Sequence, residues 1–132
     1  MSAEPVLYLD SSALVKLVVR EPESAALRSY VRSSPSRVSS ALARVEVLRA
    51  VMPHGPRAAA RARQVLEATS LLALDDALLD AAGGLEAPGL RSLDAIHLAA
   101  ARAVQPLRAL VTYDRRLADA AASLGLEPVA PS

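Results

Sequence analysis

The chain contains no cysteine, no phenylalanine and no tryptophan. The first absence excludes a disulfide framework and any thiolate metal centre. The other two leave Leu, Val and Ala to fill the core, with three Tyr as the whole aromatic content. Lysine is nearly missing as well: Lys16 is the one Lys among 15 basic residues, and the richness in Ala and Arg fits high-GC codon usage. There is no excess of one charge. A net charge of +1 does not mark a general polyanion binder, although arginines can still cluster locally. No apolar run approaches the ~18 residues that a membrane span needs. Residues 1–5 lack the basic and then apolar pattern of a leader. A soluble cytoplasmic protein with no membrane partner is expected. What the chain does have is length and apolarity: 132 residues at 52% hydrophobic suffice for one domain, 1–132, around one core.

Short apolar runs alternate with helix-like segments. Val6-Leu7-Tyr8-Leu9 ends in Asp10 and reads as a buried parallel strand. Ser11 and Ser12 then offer caps to a helix carrying Ala13, Leu14, Leu17 and Val18. A helix is expected over 23–32, a short strand at Arg37-Val38-Ser39, and a helix carrying Glu46 in its middle. Pro53-His54-Gly55-Pro56 breaks the chain before a basic helix over 57–69. A third strand is expected over 71–74, then a helix over 75–82 and a loop at Ala87-Pro88-Gly89. Ser92 is placed to cap the helix that holds Asp94. Ala109-Leu110-Val111-Thr112 reads as a strand, 115–124 as a helix stopped by Gly125, and Glu127-Pro128-Val129 as an edge strand. Strands separated by helices imply a parallel sheet, hence an α/β fold.

Four acids stand where a core has little use for them: Asp10, Glu46, Asp94 and Asp114. In open parallel sheets, ligands bind beyond the carboxyl ends of the strands. Asp10 and Asp114 fall at that end, so they face one crevice if their strands are neighbours. Each has an ordinary alternative. Asp10 and Asp114 suit helix caps, Asp94 suits the positive end of a helix dipole, and Glu46 could pair with Arg49 or simply face solvent. Brought together, four carboxylates raise one another's pKa unless a cation intervenes. An all-oxygen donor set suits Mg²⁺, which takes one or two carboxylates and keeps several waters. A metal site of this kind points to phosphodiester hydrolysis. Ser11 and Thr112 could orient a carboxylate or a metal-bound water, Ser12 less so. His97 is expected to be a buried, hydrogen-bonded core residue rather than a ligand; His54 lies in the Pro-Gly loop and Asp119 on a solvated helix face. Arg57, Arg61 and Arg63, together with Arg91, are candidate phosphate contacts, with a plain solvated face as the alternative for Arg57 and Arg61.

Four segments, in order, resemble the PIN-domain nucleases, and among them the VapC toxins of bacterial toxin–antitoxin pairs. They are Leu9-Asp10-Ser11-Ser12-Ala13-Leu14-Val15-Lys16, Ser39-Ser40-Ala41-Leu42-Ala43-Arg44-Val45-Glu46, Leu93-Asp94-Ala95-Ile96-His97-Leu98-Ala99 and Val111-Thr112-Tyr113-Asp114-Arg115-Arg116-Leu117. The resemblance implies a PIN-like α/β/α sandwich with a short central parallel sheet. It implies an Mg²⁺- or Mn²⁺-dependent endoribonuclease with Asp10, Glu46, Asp94 and Asp114 as its acidic quartet, and it matches Thr112 to the usual hydroxyl before the last acid. It also implies a homodimer, an RNA substrate of the tRNA or rRNA class, and an antitoxin that blocks the site. Some relatives carry a further acid after the third; Ala95 and Ile96 stand there, which leaves one or two metals open. An RNA-processing PIN nuclease that is not a toxin, or a non-catalytic PIN-like binding module, are the competing readings. The apolar helices between Glu23 and Ala50 are the expected interface for a second copy or a partner.

Overall fold

The computed structural model describes residues 4–87 and 89–132. Pro88, in the middle of the expected 87–89 loop, lies outside them, as do residues 1–3. Five strands form one sheet: β1 (Val6–Leu9), β2 (Arg37–Ser40), β3 (Ser70–Leu72), β4 (Leu107–Val111) and β5 (Pro128–Val129). Their order is β3-β2-β1-β4-β5 and every neighbouring pair is parallel. The helices are α1 (Ser11–Val18), α2 (Ser24–Arg32), α3 (Ala43–Val51), α4 (Pro56–Glu67), α5 (Asp76–Gly83), α6 (Ser92–Ala103) and α7 (Arg115–Ser123). A short 3₁₀ turn, Met52–His54, fills the Pro-Gly break. Among the described residues no helix is long and apolar enough to cross a membrane.

The alternation of strand side chains divides the core into two layers. Leu7, Leu9, Ala109 and Val111 pack against α1 to α4 on one face. Tyr8 and Leu110, one residue out of phase, pack against α5 to α7 on the other. This is the expected α/β/α sandwich. With no Phe or Trp to bury, the second layer is closed by Ala99, Ala100, Ala101 and Ala121, whose small side chains let the helices approach the sheet.

Several boundaries differ from expectation. The third strand is Ser70–Leu72, because its pairing with β2 ends where Ser40 does. The cap of α1 is Asp10, not Ser11 or Ser12: the Asp10 side chain accepts from the Ala13 amide, and both serines lie inside the helix. Ser92 is the first residue of α6 and caps nothing; Arg91 holds the cap position without a side-chain bond. Glu46 is in the first turn of α3, since Ala41 and Leu42 form a turn before the helix begins. Helix α7 ends just before Gly125, which takes the left-handed φ of +83° that a side chain would resist. The hydrophobic residues of α2 and α3 mostly turn inward: Leu27, Val31, Val47 and Val51 are core, while Val45 is 58% exposed and nearby Met52 63%.

Candidate active site

The topology gathers the four acids at one end of the sheet. Asp10 follows β1 and Asp114 follows β4, and these strands are paired neighbours. Helix α3, with Glu46, starts just after the carboxyl end of β2. Helix α6 leads down to the start of β4, so its first turn, with Asp94, returns to the same end.

Asp10 is almost completely buried, at 3% exposure. Its Oδ1 accepts from the Ser12 hydroxyl at 2.6 Å and from the Ala13 amide at 3.0 Å, and its Oδ2 accepts from the Thr112 hydroxyl at 2.6 Å. Burial still pushes its carboxyl above the ordinary value, with the Ser12 and Thr112 bonds opposing the rise. Thr112 also accepts from the Asp114 amide at 3.0 Å, and Ser12 from the Tyr113 amide at 2.9 Å. Two hydroxyls thus tie the end of β1 to the loop after β4. Asp114 caps α7, its Oδ1 accepting from the amides of Arg116 at 2.9 Å and Leu117 at 3.4 Å. The ordinary capping roles of Asp10 and Asp114 are therefore real, and they coexist with membership of the cluster.

Glu46 pairs with neither Arg49 nor solvent alone. Its Oε1 lies 2.7 Å from His97 Nε2 and accepts from the Ser11 hydroxyl at 2.7 Å. Burial works against its ionisation, but the bonds from His97 and Ser11 prevail and hold its carboxyl below the usual range. His97 is buried, as expected, and its Nδ1 meets the Tyr8 hydroxyl at 2.8 Å. Burial raises the Tyr8 phenol far above its ordinary value, so it stays neutral and can donate to Nδ1. That leaves Nε2 as the N–H that Glu46 accepts. The chain Tyr8–His97–Glu46–Ser11 joins β1, α6, α3 and α1. Pattern reasoning missed it, because its members lie 35 to 89 residues apart. The one available signal was a polar Tyr inside an otherwise apolar strand.

Asp94 has the clearest electrostatic signature. Its carboxyl is raised first by burial and then by the negative charge of Asp114, with Asp10 adding to the rise; His97 and Arg91 oppose it. These acids therefore share one field. Arg91, at the cap of α6, is near enough for its charge to act on Asp94, whereas Arg57, Arg61 and Arg63 lie along α4, and Arg61 reaches back to the Leu17 carbonyl at 3.4 Å. Asp119 is exposed. Lys16, which the sequence did not single out as a site residue, sits over the Tyr113 ring at 4.9 Å and pairs with Glu23 at 3.0 Å.

The donor set is all carboxylate oxygen around a crevice whose negative charges repel one another, which fits a hard cation. Among the described residues, no three His, Cys, Asp or Glu are arranged closely enough to enclose one. The fit is therefore to an ion held through one or two carboxylates with waters, not to a closed protein cage.

Residues 7–123 match the PIN domain family. The chain belongs to that family. Within it, the relatives carry the name VapC. The chain is 54% identical over 127 residues to Ribonuclease VapC46 of Mycobacterium tuberculosis, covering 96% of this chain and 98% of that protein. It is 43% identical over 131 residues to Ribonuclease VapC35 of the same species, covering 96% and 97%. Solved structures share the fold. VapC20 of M. tuberculosis, described as a sarcin-ricin loop cleaving toxin, superposes with a TM-score of 0.74 at 16% identity, over 95% of this chain and 99% of that one. A chain of a toxin–antitoxin complex from Klebsiella pneumoniae does so at 0.74 and 20%, over 96% and 98%.

Proposed function

We propose that the chain is a divalent-metal-dependent endoribonuclease and the toxin of a toxin–antitoxin pair, working as a single PIN domain. The observation that carries the reading is geometric: Asp10 and Asp114 follow the carboxyl ends of paired strands, and the first turns of α3 and α6 bring Glu46 and Asp94 to the same end of the sheet. Carboxylates gathered in this way suit a divalent cation. The names of its relatives, ribonucleases of the VapC group, supply the substrate class.

Asp10, Asp94 and Asp114 would surround Mg²⁺ or Mn²⁺, one or two of them as direct ligands and the rest through waters, with Glu46 at the edge of the set. When bound, the ion lowers the pKa of a water and offsets the charge that develops on the scissile phosphate. The chain's own residues do the rest. Ser12, Thr112 and the Ala13 amide fix both Asp10 oxygens, so the carboxylate presents one orientation. His97 and Ser11 keep Glu46 ionised at neutral pH, so it holds a fixed negative charge at the edge of the crevice. Arg91, beside Asp94, is placed to meet a backbone phosphate, with Arg57 a more distant candidate. The exposed Val45 and Met52, and the groove of about 600 Å³ that includes Arg44, Leu48, Arg63 and Leu66, offer surfaces for a second copy and for an antitoxin helix. The quartet speaks against a non-catalytic module.

The test is cleavage of RNA by the purified chain. Activity should require Mg²⁺ or Mn²⁺, and Asp94→Asn should lose it by orders of magnitude with the fold intact. Undiminished cleavage in excess EDTA rules the metal mechanism out. Induced expression without the partner should arrest growth, and co-expression of the antitoxin should relieve it.

A further inference from the structure

Away from the acids, four arginines converge on one pocket. Arg28 and Arg32 come from α2, Arg37 opens β2 and Arg61 comes from α4, around a cavity of about 400 Å³ bordered by Leu17 and Thr69. Arg37 and Thr69 stand at the amino ends of β2 and β3, whereas Asp10 and Asp114 follow the carboxyl ends of β1 and β4. The length of a four-residue strand alone separates the two sites by about 13 Å. No acidic residue lines the pocket, and none of the four arginines forms an ion pair among the described residues. Arg37 Nε is enclosed by protein without any acceptor. Guanidinium groups crowded together without carboxylates repel one another, and part of the hydration of Arg37 is lost without replacement. An anion in the pocket relieves the repulsion; Arg37 Nε, closed off by protein, is not itself open to that anion. Guanidinium forks match phosphate oxygens two at a time, which favours phosphate over a simple monovalent ion.

We infer that this pocket is a second contact for the phosphate backbone of a folded RNA substrate, an anchor remote from the bond that is cut. The inference rests on the ribonuclease reading for the identity of the polyanion. A net charge of +1 leaves no general field to hold RNA, so capture has to be local. An RNA that reaches both ends of the sheet must pass around the domain. The pocket therefore favours structured RNA over short oligonucleotides and makes substrate choice depend on shape at a distance from the cut.

The experiment measures RNA binding in EDTA by fluorescence anisotropy, where nothing is cleaved. Wild type and Arg28→Gln/Arg32→Gln are compared on a structured RNA of several helices and on a short single-stranded oligonucleotide. The double variant should bind the structured RNA about tenfold more weakly at low salt, with a log–log salt slope shallower by about 1–2. Its binding to the oligonucleotide, and its cleavage of that oligonucleotide once Mg²⁺ is added, should match wild type. If the double variant folds poorly, the exposed single change Arg32→Gln should weaken structured-RNA binding while Arg102→Gln, on α6, does not. Unchanged affinity and slope for structured RNA, or equal losses on both RNAs, overturn the inference. So does protection of wild type alone by inorganic phosphate with RNA binding unmoved, which would make the pocket a small-anion site. A chain that shows the binding difference but cuts no RNA would instead refute the ribonuclease reading and leave the anchor standing.

Discussion

Replacing Thr112 by Val removes one hydroxyl and keeps the shape of the side chain. Thr112 is 1% exposed, donates to Asp10 Oδ2 at 2.6 Å and accepts from the Asp114 amide at 3.0 Å. Losing a hydrogen bond to a charged group costs about 1.5–3 kcal/mol, and an orphaned buried donor costs about 1–3 kcal/mol. The two losses together come to roughly 2.5–6 kcal/mol at neutral pH, against a total stability of about 5–15 kcal/mol for a typical domain. The deficit should depend on pH. The folded Asp10 carboxyl is raised above 3.8 mainly by burial, so its ionised form carries a penalty that is absent below 3.8 and accumulates as pH rises through the folded value. Removing the Thr112 bond takes away one of the contacts that oppose that rise. The penalty grows, and the Val variant falls further behind wild type at pH 7 than in acid. Urea unfolding of the metal-free protein at pH 3.5–4 and at pH 7, with unchanged m-values, measures this directly. Thr112→Ser keeps the hydroxyl and should lose only about 1 kcal/mol for its missing methyl. A Val variant within 1 kcal/mol of wild type at pH 7, or a deficit that widens toward acid, refutes the reasoning.

Asp10→Ala should abolish cleavage and also destabilise the apo protein by more than the roughly 1–2 kcal/mol of the α1 cap, because Ser12 and Thr112 lose their acceptor too, whereas Asp94→Asn should abolish cleavage with a nearly unchanged melting temperature, because relief of repulsion offsets the lost helix-dipole contact. Mg²⁺ should raise the melting temperature of wild type by mass action, about 2.7 kcal/mol of stabilisation at a hundredfold excess over Kd, and the gain should shrink in Asp94→Asn; a melting temperature indifferent to millimolar metal would count against a clustered site. Glu46 has a lowered carboxyl, so its stabilisation is present above 4.5 and is lost as pH falls through the folded value. Glu46→Gln should therefore flatten the acid limb of the stability curve, and an unaltered limb would exclude the His97 pairing. Tyr8→Phe should leave His97 Nδ1 without its partner, cost about 1–2 kcal/mol in urea unfolding and reduce kcat more than KM; activity equal to wild type would show that the relay does not position Glu46.

The layers of the fold were legible because each strand is short, apolar and followed by a helix, and because Asp10 and Asp114 mark where two strands stop. That the four acids stand at one end of the sheet was legible for the same reason, aided by the order of their motifs. The partner of Glu46 was not. A sequence displays neighbours at three and four residues, which made Arg49 the natural choice, whereas His97 arrives from 51 residues away once α6 packs against the sheet. The capping serines were misassigned because Ser and Asp compete for one position, and the Asp10 side chain, held by Thr112 as well, wins it. Arg61 was correctly seen as a basic residue on an amphipathic helix. Which end of the sheet it serves depends on where α4 meets β2, which helical periodicity does not encode.

The bond between Thr112 and Asp10 joins residues 102 positions apart, and it closes only when β4 takes its place beside β1. Strand order and chain order thus disagree: the first strand waits at the centre of the sheet for a neighbour that is synthesised near the end. A nascent or clipped chain that stops before β4 has Asp10 without the hydroxyl that orients it and without Asp114 or the loop that Ser12 anchors. Such a chain holds its chemical parts but not their assembly. For a protein that cuts its own cell's RNA, as proposed here, the delay works as a safeguard in time. The ribosome that makes the chain meets a finished crevice only after β4 has left it.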